Sequence, residues 1–542
     1  MKIIAIHLAL ANELRAMGHD VLELKPPPGI CLLDRHPEVK VFEPQCIIQQ
    51  ETLGPRIVLD GLENFSCHKV YWSIDTHLNF FWHKVYARNF DLVLTTQKSW
   101  VQKFISNSGK EAGWLPWFGR PRPWYPWSQK DIEMAFVGRI TEHRQTRFWM
   151  AEFLKKNYQA RVEENLSFSE MLDLYARTKY VPNESIAGEI NFRLFEAASC
   201  GSLVLSQKLM EDVAELYIPE KEVVLFEHVL ELQDKLNFYR CNPTLAKKIA
   251  FKGWNRTNAC HLPSNRAADL LKMIAEIRRS GSSRDERKNL YLSIFELWDS
   301  SRFYLGKEKI NEMIFSIPLD EEVLTAIIRL HSNSAAKLLD LIIPVLQQRQ
   351  YDHDLMVNQT CSGAALHAGH FPLAVQFWKR HCLRVKVPYR EPESPLQLKL
   401  IWANELARQG YRFRQGFLYD IKRHLPQAAM EWLVEAAREA PGDKEILLKI
   451  KRIVQGQVGL ESTVLKILSY ESLHDRRNWR WNLELAMYHL RSFRLHQGLE
   501  ELILGLDNAR KSGEDEIFKD MLAARDGKGY LRRCLDWGTT GN

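Results

Sequence analysis

The chain has 542 residues, room for about three or four domains, and its 45% hydrophobic and 26% charged content is that of an ordinary soluble globular protein. A net charge of +7 is small for this length and does not imply nucleic acid. The nine cysteines are scattered with no CxxC pair, which suggests reduced thiols in a cytosol. No apolar run reaches the length of a membrane span, and Met1-Lys-Ile-Ile-Ala-Ile lacks a signal peptide's long apolar core, so a cytoplasmic location is expected.

In chain order, Lys2–Ile6 reads as a strand, Leu8–Met17 as an amphipathic helix, and Gly18–Leu24 as a turn into a second strand. Strand candidates recur at Val39–Phe42, Cys46–Ile48, Arg56–Leu59 and from Lys69 toward Asp75, then a helix runs through Trp82 and Tyr86. Asp91–Gln97 is another strand, and Trp100–Ile105 begins another helix. Such alternation predicts a parallel, doubly wound sheet. Asp75 and His77 close one of its strands, where side chains reach the ligand crevice. A carboxylate or imidazole there can take a proton from a hydroxyl or stabilise a cationic centre. The alternative is that Asp75 caps the following helix and His77 pairs with it.

A second α/β region opens with the apolar run Ile132–Val137, which ends at Gly138, where backbone can approach a ligand closely. Arg139 and Arg144 follow in the loop and first helical turn. Phe168–Arg177 is an amphipathic helix and Lys179–Pro182 a short strand. The stretch from Asn183 to Gln207 then reads as a polar loop, a helix with Asn191 as N-cap and Gly201 at its end, and a buried strand. Leu194, Phe195, Ala197 and Ala198 can pack on a sheet, leaving Arg193 and Glu196 near the loop-facing start of the helix. An Arg there suits a phosphate and a Glu one turn later a ribose diol, unless both are ordinary solvated charges. His261 and Arg266 read as structural residues of the closing helices. Arg278–Lys288 is polar and without apolar period, hence a linker, and beyond it only helical signals continue.

The segment from Tyr175-Ala-Arg-Thr-Lys through Gly188-Glu-Ile-Asn-Phe-Arg-Leu-Phe-Glu-Ala-Ala-Ser-Cys-Gly201 resembles the CgeB-like (spore-protein-type) glycosyltransferases of the GT-B fold. Tyr71-Trp-Ser-Ile-Asp-Thr-His77, Thr96-Gln-Lys and Trp114-Leu-Pro are similar to blocks of that family's N-terminal domain, so the resemblance covers roughly residues 40–275. It implies an α/β fold of two Rossmann-like domains, 1–128 on the acceptor side and 129–279 for the nucleotide-sugar. A linker at 280–289 and an all-α region at 290–542 would follow. In that last region Ala364–Trp378 resembles half of a tetratricopeptide repeat, though the 34-residue period is not clean.

The implied activity is transfer of a sugar from a nucleotide-sugar to an acceptor such as a protein or cell-surface glycan recruited by the helical region. Asp75 and His77, by their position at the crevice, are the candidate catalytic residues for it. The implied nucleotide-sugar residues are Arg139, Arg144, Asn191, Arg193 and Glu196; Arg139-x4-Arg144 is similar to the Arg-x4-Lys pair that neutralises the diphosphate in related enzymes, and Arg147 matches an Arg of the family block. No metal, other cofactor, nucleic acid or membrane span is expected. Two positions depart from the pattern: Gly188 stands where related retaining enzymes carry a Glu, with Glu189 beside it, and only His7 could fill the usual glycine-rich loop. The competing reading is a catalytically inactive GT-B scaffold that acts through its helical domain.

Overall fold

Eight strands lie in the first α/β region: β1 (Lys2–Ile6), β2 (Asp20–Leu24), β3 (Gly29–Leu32), β4 (Cys46–Gln50), β5 (Ile57–Asp60), β6 (His68–Ser73), β7 (Leu92–Thr95) and β8 (Glu111–Trp114). Six of them form one parallel sheet in the order β2-β1-β4-β6-β7-β8, and β3 pairs with β5. Ile3, Ile4, Ile6, Ile47, Ile48, Val70 and Trp72 are all buried, the continuous apolar run that a parallel sheet covered on both faces requires. The helix Thr76–Tyr86 follows β6 and buries Phe81, Trp82 and Tyr86. His7, at φ 51, takes the left-handed turn after β1 that glycine usually supplies, and its Nε2 lies 3.1 Å from Pro26 O.

In the computed structural model the described residues are 1–54, 56–141, 144–208, 213–277, 285–386, 388–457 and 459–539. The expected strand at Val39–Phe42 is instead the end of a helix, Pro37–Phe42. Pro37 sits at its first position, and only Val39 is buried while Val41 faces solvent, a one-sided burial that suits a helix turn. The helix expected over Leu8–Met17 is confined to Ala11–Ala16.

Five more strands form a second parallel sheet: β9 (Ile132–Val137), β10 (Arg161–Glu163), β11 (Thr178–Asn183), β12 (Leu203–Gln207) and β13 (Val224–Phe226), ordered β10-β9-β11-β12-β13. The winding reverses between β9 and β11, so the carboxyl ends of those two strands flank the crevice where such sheets bind ligands.

The chain divides into two units, Met1–Leu115 with Asp269–Ile453, and Pro116–Ala268 with the residues from Val454 onward. The helices after residue 285 therefore do not form a body of their own, as the boundary at 280–289 had led us to expect. Those up to Ile453 belong with the first sheet and the rest with the second. In the first unit the late helices share an apolar core with the sheet, in which Phe81 and Trp82 cluster with Ile294 and Phe295, and a buried ion pair joins Lys69 Nζ to Glu286 Oε1 at 3.3 Å. Residues 280–284 of the expected linker lie outside the described residues. Among the described residues no strand follows β13, and no helix is long and apolar enough to cross a membrane. The segment 364–378 falls in the helix pair Leu355–His367 and Phe371–Val385, with Gly369 at φ +75 in the turn.

Candidate functional site

In the second unit a cluster of arginines surrounds the carboxyl ends of β9 and β11. Gly138 leaves room for them: a Cβ would come within 2.8 Å of Arg193 Nη2 and 3.3 Å of Arg147 Nη1. Arg147 is buried and donates from Nε to Glu184 Oε2 at 2.8 Å, so it is an interior ion pair and not a surface charge. Arg144 occupies the N-cap position of the helix Gln145–Tyr158, with no side-chain cap, and donates from Nη1 to Arg139 O at 3.3 Å. Burial and the like charges of Arg147 and Arg139 hold Arg144 below the ordinary arginine range. Arg139 is exposed. Among the described residues neither Arg139 nor Arg144 has an ion-pair partner, though the Glu184 and Glu189 charges attract Arg144 from further off, so the loop after β9 carries two cations beside a helix N-terminus.

Arg193 differs from the reading of the sequence, which aimed it at a phosphate. It is 7% exposed and turned inward. Its Nε donates to Val137 O at 3.1 Å, its Nη1 to Asn183 Oδ1 at 3.0 Å and Glu184 O at 3.3 Å, and its guanidinium lies 4.3 Å from the Phe136 ring centre. It ties the ends of β9 and β11 together by donating to carbonyl acceptors that strand termini leave unmet.

Asn191 stands at the N-cap of the helix Phe192–Ser199 but makes no cap bond. Its Nδ2 donates to Glu184 O at 2.8 Å instead, and its buried Oδ1 has no hydrogen-bond partner. Gly188, at φ +83, has the backbone that a Glu would resist. Glu189 closes its own loop, accepting from Ser185 Oγ at 2.5 Å and from Ala187 N at 2.8 Å.

Glu196 lies one turn into the same helix, 8% exposed, with no hydrogen bond or ion pair to its carboxylate among the described residues. Burial pushes it up to about 7, against the attraction of Arg193 and Arg120. A carboxyl held above its unfolded value of 4.5 favours folding when protonated, and that advantage is lost as pH rises from about 4.5 through 7. Glu196→Gln is therefore expected to gain about 3 kcal/mol of stability over the wild type between pH 4 and pH 8, at 1.36 kcal/mol per pH unit of displacement. Urea unfolding of the whole chain at those two pH values checks it. A difference between variant and wild type that does not change with pH would show Glu196 to be solvated.

A cleft of about 190 Å³ opens in this unit, lined by Arg144, Thr146, Arg147, Glu184, Ile186 and Ser462. Ser462 arrives with the late helices, and Gly459 passes so close to the loop that a Cβ there would sit 2.5 Å from Ile186 O.

In the first unit Asp75 occupies the N-cap position of the helix Thr76–Tyr86 without a side-chain cap bond. The backbone at this corner is held by Glu51, which follows β4 and was not singled out by the sequence. Its Oε2 accepts from Ile74 N at 2.7 Å and Asp75 N at 2.8 Å, and its Oε1 from Asn79 Nδ2 at 2.6 Å and Arg56 Nη1 at 3.2 Å. Burial and the Asp75 charge push Glu51 upward, while those N–H donors oppose the shift and suit a carboxylate. His77 is buried with an unpartnered Nδ1. His83, one helix face away, is spent in the core between Tyr71 Oη and Ser73 Oγ, both at 2.8 Å. An acid directly after a buried strand is the signal that could have marked Glu51; Ser462 had none.

His261 and Arg266 do bond to backbone and to each other, with His261 Nε2 2.8 Å from Leu216 O and Arg266 Nη2 2.9 Å from His261 Nδ1.

Residues 126–272 match the family described as glycosyl transferase-like. Nearly all of that matched segment lies in the second unit. No curated protein matches the chain. Among solved structures it is similar to a sucrose-phosphate synthase from Thermosynechococcus elongatus, at 12% identity and a TM-score of 0.38 over 50% of this chain and 98% of that one. A glycosyltransferase from Rickettsia africae gives 10% identity and a TM-score of 0.37 over 51% and 97%. Anabaena HepE in complex with UDP-glucose gives 12% and 0.36 over 51% and 99%.

Proposed function

We propose that the chain is a CgeB-like glycosyltransferase that moves a sugar from a nucleotide-sugar to an acceptor, a protein or a cell-surface glycan, in the cytoplasm. The observation that carries this is the pair of cations without an ion-pair partner among the described residues, Arg139 and Arg144, at the switch point of a sheet within the segment that matches a glycosyl transferase-like family. In this reading those two arginines and a helix N-terminus take the diphosphate charge. Glu196 accepts from the ribose, Asn191 offers its free Oδ1, and Arg193 holds the strand ends beneath them. Asp75 and His77 serve the chemistry, and the helices of the first unit recruit the acceptor.

Arg139→Ala and Arg144→Ala are each expected to weaken nucleotide binding by about 1.5–3 kcal/mol, the range for hydrogen bonds to charged groups. Calorimetry against a panel of nucleotide-sugars measures it, and wild-type affinity in both variants would remove the phosphate site.

One observation favours a second reading, an inactive scaffold. The acid nearest the position where related enzymes carry a Glu is Glu189, and both of its oxygens are engaged by its own loop. Donor hydrolysis separates the two: a protein that binds a nucleotide-sugar yet releases no free sugar, with or without acceptors, is the scaffold.

A further inference from the structure

Glu184, one of the residues lining the cleft beside Arg144, has a buried polar atom that the proposed diphosphate site does not use. Glu184 is 1% exposed; its Oε2 is paired with Arg147, while its Oε1 has no hydrogen-bond partner. An ionised carboxylate only accepts hydrogen bonds, so the missing partner is a donor, such as a hydroxyl, and not a phosphate oxygen. Leaving such an oxygen buried and unpaired is costly, and a ligand hydroxyl relieves that cost.

The opposite wall comes from outside the glycosyl transferase-like segment 126–272. Gly459, at φ +88, lies against Ile186 O and lets the chain turn into the helix Glu461–His474, whose first turn places Ser462 on the cleft. The Glu461 carboxylate is occupied with Gly459 N at 2.8 Å. The neighbouring helix, Gln145–Tyr158, brings Thr146 and the partly exposed Arg144 to the same space. At about 190 Å³ the space holds about six waters at about 30 Å³ each, comparable to one pyranose with its hydroxyls.

We infer that this cleft is the pocket for the transferred sugar, with Glu184 Oε1 accepting one of its hydroxyls and Ser462 forming the selective wall. The inference rests on the nucleotide-sugar reading above and adds to it that donor choice is made in part by the C-terminal helices. Glu184 and Ser462 are specificity residues in this account.

The test titrates the full chain with UDP-glucose, UDP-galactose, UDP-N-acetylglucosamine and GDP-mannose, each beside UDP or GDP alone. Ser462→Phe fills the cleft from a partly exposed position and leaves the core untouched. It is expected to lower affinity for the preferred nucleotide-sugar about 10- to 100-fold, the worth of one hydrogen bond to a charged group, with affinity for the bare nucleoside diphosphate unchanged. Glu184→Gln, which keeps the shape, is expected to reduce the same sugar-dependent part of the affinity. Wild-type affinity for the nucleotide-sugar in Ser462→Phe overturns the inference and leaves the donor reading standing. Equal losses for nucleotide-sugar and bare diphosphate also overturn it, since the cleft would then hold the nucleotide. A wild type that binds none of the probes overturns the donor reading and this inference together.

Discussion

Asp75→Asn and His77→Ala are each expected to cut turnover roughly 10²–10⁴-fold, the usual worth of a positioned acid or base, with nucleotide affinity unchanged. The expectation follows from the corner after β6. Glu51 holds the backbone N–H groups of Ile74 and Asp75, and the Asp75 side chain does not cap its helix. His77 keeps a buried Nδ1 without a partner, a feature it shares with His381 and His489, whereas both ring nitrogens of His83 are engaged. Groups that act on the transition state contribute little to ground-state binding, so the loss should fall on turnover alone. Release of free sugar from the donor follows the reaction without knowledge of the acceptor, and circular dichroism confirms that the variants fold. Wild-type turnover in both would make Asp75 a helix-start residue and His77 its buried neighbour.

Arg147→Met is expected to destabilise the second unit by about 3–5 kcal/mol, because it strands Glu184 as a buried charge. The side chains of the pair are 7% and 1% exposed at 2.8 Å, so the survivor keeps only the little water that the adjoining cleft offers. The double variant Arg147→Met/Glu184→Leu should recover most of the loss, since two apolar groups of similar volume replace a pair that gains little over its desolvation cost. Urea unfolding of the full chain reads both. A loss below about 1 kcal/mol in the single variant, the level of exposed pairs, would show the pair to be hydrated.

Much of the fold was legible because its signals are local. Apolar runs such as Ile132–Val137 and Leu203–Gln207 sit between amphipathic helices, and this alternation leads to parallel sheets without reference to distant residues. The position of Gly138 after β9 could be read in the same way, whereas Asp75 and His77, expected to close a strand, fall past its end at Ser73, at the N-cap and in the first turn of the helix Thr76–Tyr86. Short strands without that contrast, β3 and β10, could not, and Val39–Phe42 misled because a three-residue apolar cluster fits either period.

The candidate site divides along the same line. The amino-acid sequence by itself determined which residue types cluster at the carboxyl ends of β9 and β11, since strand, loop and helix start are contiguous in the chain. Only the tertiary structure decided which of them face a ligand. Arg193 turns inward because the unmet carbonyls of Val137 and Glu184 lie nearer than solvent, whereas Arg144, at a helix start, has no such acceptors beyond Arg139 O. Tertiary structure alone also divided the late helices between two units and set Ser462 opposite Glu184. Those pairings join segments remote in the chain, so they depend on how apolar faces pack, a property that no local period records.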